Sequence, residues 1–215
     1  MKKPVLVIGA GGHAKILIDI INKSDDFKLE AVIGRDEEPH EAILGIPILK
    51  GDRYLNQYLE KGINSVAIGI GGYSDNSRRR EMYYQLKEQG FEIVNLIDKT
   101  AIISQFVTLG DGVVIFAGVV INPDVTIGNN VIIATGSTID HETVIEDHVL
   151  ISAGVTVGAG NILKEGALLA LGCNVISRVT IGKEALVAAG AVVVNDIPDR
   201  AKVFGLPAKP RDIKV

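Results

Sequence analysis

The residues best suited to chemistry in this 215-residue chain are His141 and Glu142, an imidazole and a carboxylate side by side. A neighbouring carboxylate stabilises the cation that an imidazole becomes on taking a proton, so the pair reads as a general base with its partner. The bland alternative, two solvated surface residues, stays open on the pair alone. His148 is a second candidate that could come near His141 only across a subunit boundary. His13 and His40 read as a loop residue and a surface residue. Two histidines without a third do not make a tetrahedral site, so no metal is expected.

A second cluster lies at the front of the chain. Pro4 to Ile8 is an apolar strand, Gly9-Ala10-Gly11-Gly12-His13-Ala14 follows it, and Ile16, Leu17, Ile20 and Ile21 then recur at helical spacing. Strand, glycine turn and helix aim backbone N–H groups and a helix N-terminus at a phosphate. Gly9, Gly11 and Ala14 fit G-x-G-x-x-A, a weak signal by itself. Gly34 and Arg35 stand where a dinucleotide site would place an acidic residue, and one α/β unit is half of the usual two-part fold. A nucleotide or nucleotide-sugar fits the turn best, a plain tight turn is the next reading, and a dinucleotide the last.

These residues need a frame, and the chain supplies one with a period of six. From Ile97 onward the first places of seventeen hexads are all Ile, Leu or Val, ending at Val193. Neither a helix nor an ordinary strand repeats every six residues; a parallel β-helix does, with three hexads per coil. From Phe106 on, eleven of sixteen fourth places are Gly, Asn or Asp, which tolerate positive φ at a bend. Phe106, Glu142, His148, Arg178 and Glu184 are the exceptions. The fifth places are mostly small or β-branched and read as a second inward position, Cys173 among them as a core thiol. His141 then sits on a protruding corner in the column Pro123, His141, Ala159, Ser177, where a long, thin ligand could lie.

Upstream, the order of apolar runs predicts strands at 29–33, 65–70 and 91–96 and helices at 52–61 and 77–89, an α/β unit with a parallel sheet. The organisation is thus an α/β Rossmann-like domain over 1–96 and an all-β hexapeptide-repeat domain over 97–215 with an extended tail. A net charge of −4 gives no electrostatic footprint for nucleic acid or an anionic membrane. No apolar stretch reaches membrane length and the start is too short for a signal peptide, so a cytoplasmic protein is expected.

With these residues in place, the chain resembles the left-handed β-helix sugar acetyltransferases typified by sialic acid O-acetyltransferase and UDP-N-acetylbacillosamine N-acetyltransferase. The likeness rests on Val5-Leu6-Val7-Ile8-Gly9-Ala10-Gly11-Gly12-His13-Ala14, Val66-Ala67-Ile68-Gly69, Asn95-Leu96-Ile97, Asp140-His141-Glu142, the hexads and Val203-Phe204-Gly205-Leu206-Pro207-Ala208-Lys209.

The resemblance implies a homotrimer with acetyl-CoA between neighbouring prisms and a nucleotide-sugar on the N-terminal domain. His141 would be the base and Glu142 its partner. Leu171 and Ala189, with Gly172 and Gly190 beside them and Lys209 in the tail, would hold the CoA arm. Gly11, Gly12, His13, Gly34, Arg35, Gly69 and Arg79 would meet the nucleotide-sugar. A family His nine residues after the base is Leu150 here, a family Asn seven before it is Ala134, and an acidic pair after the second strand is Gly34-Arg35. The expected reaction is acetyl transfer to the amine of a UDP- or dTDP-linked sugar. O-acetylation of a sugar hydroxyl, a non-catalytic binding scaffold and a nicotinamide-dependent oxidoreductase are the rivals.

Overall fold

The computed structural model describes residues 1–72, 75–207 and 209–210. Ala208 of the tail motif and the last five residues lie outside these. The chain divides into two compact units, one of 1–72 with 77–99 and the other of 73–76 with 100–215.

In the first unit, β1 (Lys3–Ile8), α1 (Gly12–Lys23), β2 (Phe27–Gly34), β3 (Ala42–Ile43), β4 (Ile46–Lys50), α2 (Arg53–Glu60), β5 (Ser65–Ile68), α3 (Ser77–Glu88) and β6 (Glu92–Ile93) follow in order. They build a sheet of order β3-β4-β2-β1-β5-β6. Val5, Leu6 and Val7 at its centre are fully buried, as a strand covered on both faces requires. All pairings are parallel except β3–β4. The sheet is therefore mixed, where the sequence predicted a parallel one. The antiparallel hairpin turns through Leu44 and Gly45, with φ of 50° and 78°. That conformation is usually marked by Asn-Gly, so Leu44 concealed it.

The second unit keeps the six-residue period. Each hexad gives a two-residue strand that pairs in parallel with the one 18 residues on, as Val114–Ile115 does with Ile132–Ile133 and Thr126–Ile127 with Val144–Ile145. Three faces result, and the first and fifth places line one continuous core from Val113 to Val203. Cys173 is buried there, and burial pushes its thiol up to about 12. Polar fifth places are hydrogen-bonded inside the coil: Ser137 Oγ donates to the Ser152 carbonyl (2.9 Å) and Asn161 Nδ2 to that of Gly158 (2.6 Å).

All fourteen fourth-place residues from Gly112 to Gly190 have φ between 54° and 71°. Glu142 (59°), His148 (63°), Arg178 (63°) and Glu184 (54°) hold a left-handed conformation that costs about 1 kcal/mol for a residue with a Cβ. The coil imposes the bend on whatever residue occupies it. Lys202–Phe204 continues the solenoid by pairing in parallel with Leu186–Val187, and Lys209–Pro210 folds back antiparallel upon it.

Candidate functional site

His141 stands at the third place of its hexad, one residue before a positive-φ bend. Its backbone joins a corner ladder in which Glu142 N donates to the Pro123 carbonyl (3.2 Å) and Gly160 N to that of His141 (2.9 Å). The ladder fixes the corner, and the side chains project from it: His141 is 53% and Glu142 68% exposed. Nδ1 of the imidazole lies 3.0 Å from Oε2 of Glu142. Because Nδ1 faces an acceptor, the neutral ring carries its proton there and turns an unprotonated Nε2 outward. Ala159 and Ser177 follow in the column, and Ser177 Oγ accepts the Ala159 N–H (3.1 Å).

A clamp not expected from the sequence lies under this corner. Asp140 Oδ1 accepts from the His141 backbone N–H (2.9 Å) and from Asn122 Nδ2 (2.8 Å). The Asn122 bond, then the His141 N–H, hold the Asp140 carboxyl below the usual carboxylate range. Asn122 and Asp140 are second places 18 residues apart, the only sequence signal for the contact.

His148 belongs to a different environment. It is wholly buried, with Nδ1 2.9 Å from Nδ2 of Asn130, also buried. Nδ2 of Asn76 donates to its carbonyl (3.1 Å) and to that of Gly166 (3.3 Å). A ring so enclosed packs the solenoid and does not meet a ligand.

The three corner columns differ in how they treat their third-place amides. In one, Asp111 N donates to Asn129 Oδ1 (2.9 Å) and Asn129 N to Asp147 Oδ1 (2.7 Å), each side chain capping the coil before it. In the column of Ala153, Leu171 and Ala189, the side chains offer no acceptor. The carbonyl of Leu171 is taken by Gly190 N (2.9 Å) and that of Ala153 by Gly172 N (3.0 Å). Leu171 is 61% exposed, and Gly172, Ala189 and Gly190 are exposed with it. An extended polar ligand could complete this corner. Lys209 is exposed on the returning tail strand.

In the first unit a cleft of about 660 Å³ opens along the carboxyl ends of the parallel strands. Gly9 to His13, Gly34, Arg35 and Gly69 line it, so the glycine turn and the β2 terminus expected to meet a ligand do share one cavity. Gly11 caps α1 without a side-chain bond, and a Cβ on Gly11 or Gly12 would meet nothing within 4 Å. The space above them is open to a ligand and the helix N-terminus faces it unopposed. Gly69 is different: a Cβ there would lie 2.9 Å from Ala14 Cβ and 2.9 Å from the Gly9 carbonyl oxygen. Ala14 and Gly69 are small because helix and strand touch.

His13 is a helical residue in the first turn of α1, half-buried at the cleft, where the sequence read a loop. Burial, with the positive charge of Arg79 second, pushes its imidazole down to about 3, so it is neutral across the ordinary pH range. Arg79 is 1% exposed within α3 and burial lowers it to about 9. It does not reach the cleft lining; its neighbour Arg78 does. Sequence reasoning also missed Lys15, Glu38 and Asp52 on the lining and set His40 aside as a surface residue, although it lines the cleft as well.

Among the described residues no group of three or more His, Cys, Asp or Glu could hold a metal ion. No helix among them is long and apolar enough to cross a membrane.

A solenoid with an imidazole–carboxylate corner, preceded along the chain by an α/β unit with a glycine-lined cleft, defines a hexapeptide-repeat transferase. The profile of the PglD N-terminal domain matches residues 4–86, and that of the bacterial transferase hexapeptide (six repeats) matches 106–141. GDP-perosamine N-acetyltransferase from Caulobacter crescentus, solved as a histidine-to-alanine variant with CoA and GDP-perosamine, is 34% identical. The match covers 98% of this chain and 97% of that one at a TM-score of 0.91. The acetyltransferase domain of PglB from Neisseria gonorrhoeae is 27% identical over 98% and 100% of the two chains, with a TM-score of 0.89. UDP-N-acetylbacillosamine N-acetyltransferase of Bacillus subtilis (strain 168) is 33% identical over 119 residues, so the match spans about half of that relative, 52% of its length. The chain belongs to this family of left-handed β-helix sugar acetyltransferases.

Proposed function

We propose that the protein transfers the acetyl group of acetyl-CoA to the amine of a nucleotide-linked amino sugar. The observation that carries the reading is the His141–Glu142 pair, held at 3.0 Å on an exposed corner with only small side chains in the next two coils. The unprotonated Nε2 takes a proton from the amine as its nitrogen attacks the thioester carbonyl, and Glu142 stabilises the imidazolium. A backbone N–H stabilises the oxyanion. Collapse of the tetrahedral intermediate breaks the carbon–sulfur bond, and the imidazolium returns the proton to the CoA thiolate.

The uncapped column of Leu171 and Ala189 supports a binding role for Leu171, Gly172, Ala189 and Gly190 along the CoA arm, with Lys209 near its charged end. The donor lies between neighbouring copies in a homotrimer, and the protein works in the cytoplasm. Gly11, Gly12, His13 and Gly69 face the diphosphate and sugar, Gly34 and Arg35 the nucleoside. Arg79 does not face the ligand; its charge adds to the burial that keeps His13 neutral. N-acetylation is favoured over O-acetylation because the Caulobacter crescentus and Bacillus subtilis relatives are N-acetyltransferases. The test is to incubate the protein with acetyl-CoA and a panel of nucleotide-linked amino sugars, following free thiol and the mass of the sugar. Thiol release that depends on one amino sugar, with the mass of that sugar raised by one acetyl group in place of a proton, is expected. Binding of both substrates without thiol release would leave a non-catalytic scaffold.

A further inference from the structure

We infer that Glu38 selects the base of the nucleotide, and that this base is guanine. The inference rests on the nucleotide-sugar reading of the cleft above. β2 ends at Gly34, and Glu38 N donates to the Arg35 carbonyl (3.1 Å), closing a tight turn. That turn brings the Glu38 side chain back over the strand end. A Cβ at Gly34 would lie 3.0 Å from Glu38 Cγ and 3.2 Å from its Cβ, so the missing side chain makes room for the glutamate stem. Glu38 lines the cleft, and its carboxylate takes no hydrogen bond or ion pair from any described residue. Its neighbour Asp36 is engaged with Arg53 at 3.2 Å and is not on the lining. Lys15, Arg35 and Arg78 supply cations to the same cavity, and the glycine turn offers backbone N–H groups to phosphate.

An ionised carboxylate only accepts hydrogen bonds, through two oxygens set side by side. The hydrogen-bonding edge of guanine carries two adjacent donors, N1–H and the exocyclic amine, and matches it bidentately. Uracil and thymine present one N–H between two carbonyl oxygens, so the second carboxylate oxygen meets repulsion. Adenine and cytosine place an acceptor beside their single donor and are repelled in the same way. Glu38 thus supplies, four residues beyond the strand end, the acidic group that Gly34 and Arg35 do not.

Calorimetric titration of the full chain with GDP, UDP, CDP and ADP separates this inference from the reading it rests on, because no acetyl transfer is needed. GDP is expected to bind tightest, and Glu38→Gln to weaken GDP about 30-fold while CDP and ADP change less than about twofold. Asp36→Asn, with circular dichroism on each variant, shows that a neighbouring lost charge does not act alike. Equal binding of GDP and ADP, tightest binding of UDP, or equal weakening of all four by Glu38→Gln overturns the inference and leaves the acetyltransferase reading intact. If none of the four binds, both fall.

Discussion

Nδ1 of His141 lies 3.0 Å from Oε2 of Glu142, and the residue that supplies this carboxylate occupies a left-handed bend with φ of 59°. The coil requires that φ at every fourth place from Gly112 to Gly190, and glycine fills eight of them. A glutamate there is a local cost that glycine would remove, and what it gains in return is contact with the imidazole.

Glu142→Gly should therefore raise stability by about 1 kcal/mol and lower kcat about tenfold or more. Arg178→Gly, at an equivalent bend two coils on, should give a similar stability gain with kcat unchanged. Thermal unfolding and steady-state rates on the two variants check this. A Glu142→Gly protein that is both more stable and fully active would separate the strained bend from catalysis.

The glycines of the cleft divide by what surrounds them. Gly69→Ala drives a methyl against Ala14 and the Gly9 carbonyl, and should cost about 1–3 kcal/mol of stability. Gly11→Ala meets no protein atom, so stability should change by less than about 0.5 kcal/mol while KM for the nucleotide-sugar rises. Denaturant unfolding paired with KM distinguishes packing from ligand approach.

His13 makes stability pH-dependent. Its folded-state imidazole is pushed down to about 3 from an ordinary 6.5, so below pH 6.5 the unfolded chain takes up a proton that the folded chain refuses. The unfolded state is then favoured as pH falls from 6.5 toward 3, with no contribution above that window. At pH 4.5 the cost is on the order of 3 kcal/mol. His13→Gln should flatten the fall in unfolding free energy between pH 7 and 4.5 relative to the parent; parallel curves would contradict the assignment.

The solenoid was legible because its period is written in the residues themselves: a first place that must point inward cannot be other than apolar, and a bend with positive φ selects Gly, Asn or Asp. The same logic put His141 and Glu142 on a corner. Contacts between coils were harder to see. Asn122 and Asp140 are 18 residues apart and polar, which any surface pair could be, yet together they fix the backbone of His141. His148 stands at a bend like Glu142, and residue type does not say that its ring would be enclosed beside Asn130. In the α/β unit, Leu44 hid a hairpin and Glu38 stood too far past its strand to be noticed, until the turn at Arg35 folded it back.

The most direct test of the account is the turnover of His141→Ala measured beside its CoA affinity. A base in contact with the reacting amine contributes roughly 10² to 10⁴-fold, so kcat should fall by that factor while the dissociation constant for CoA stays within about twofold. Turnover equal to the parent's would show that the proton leaves the amine by another route and that the corner imidazole is not the base.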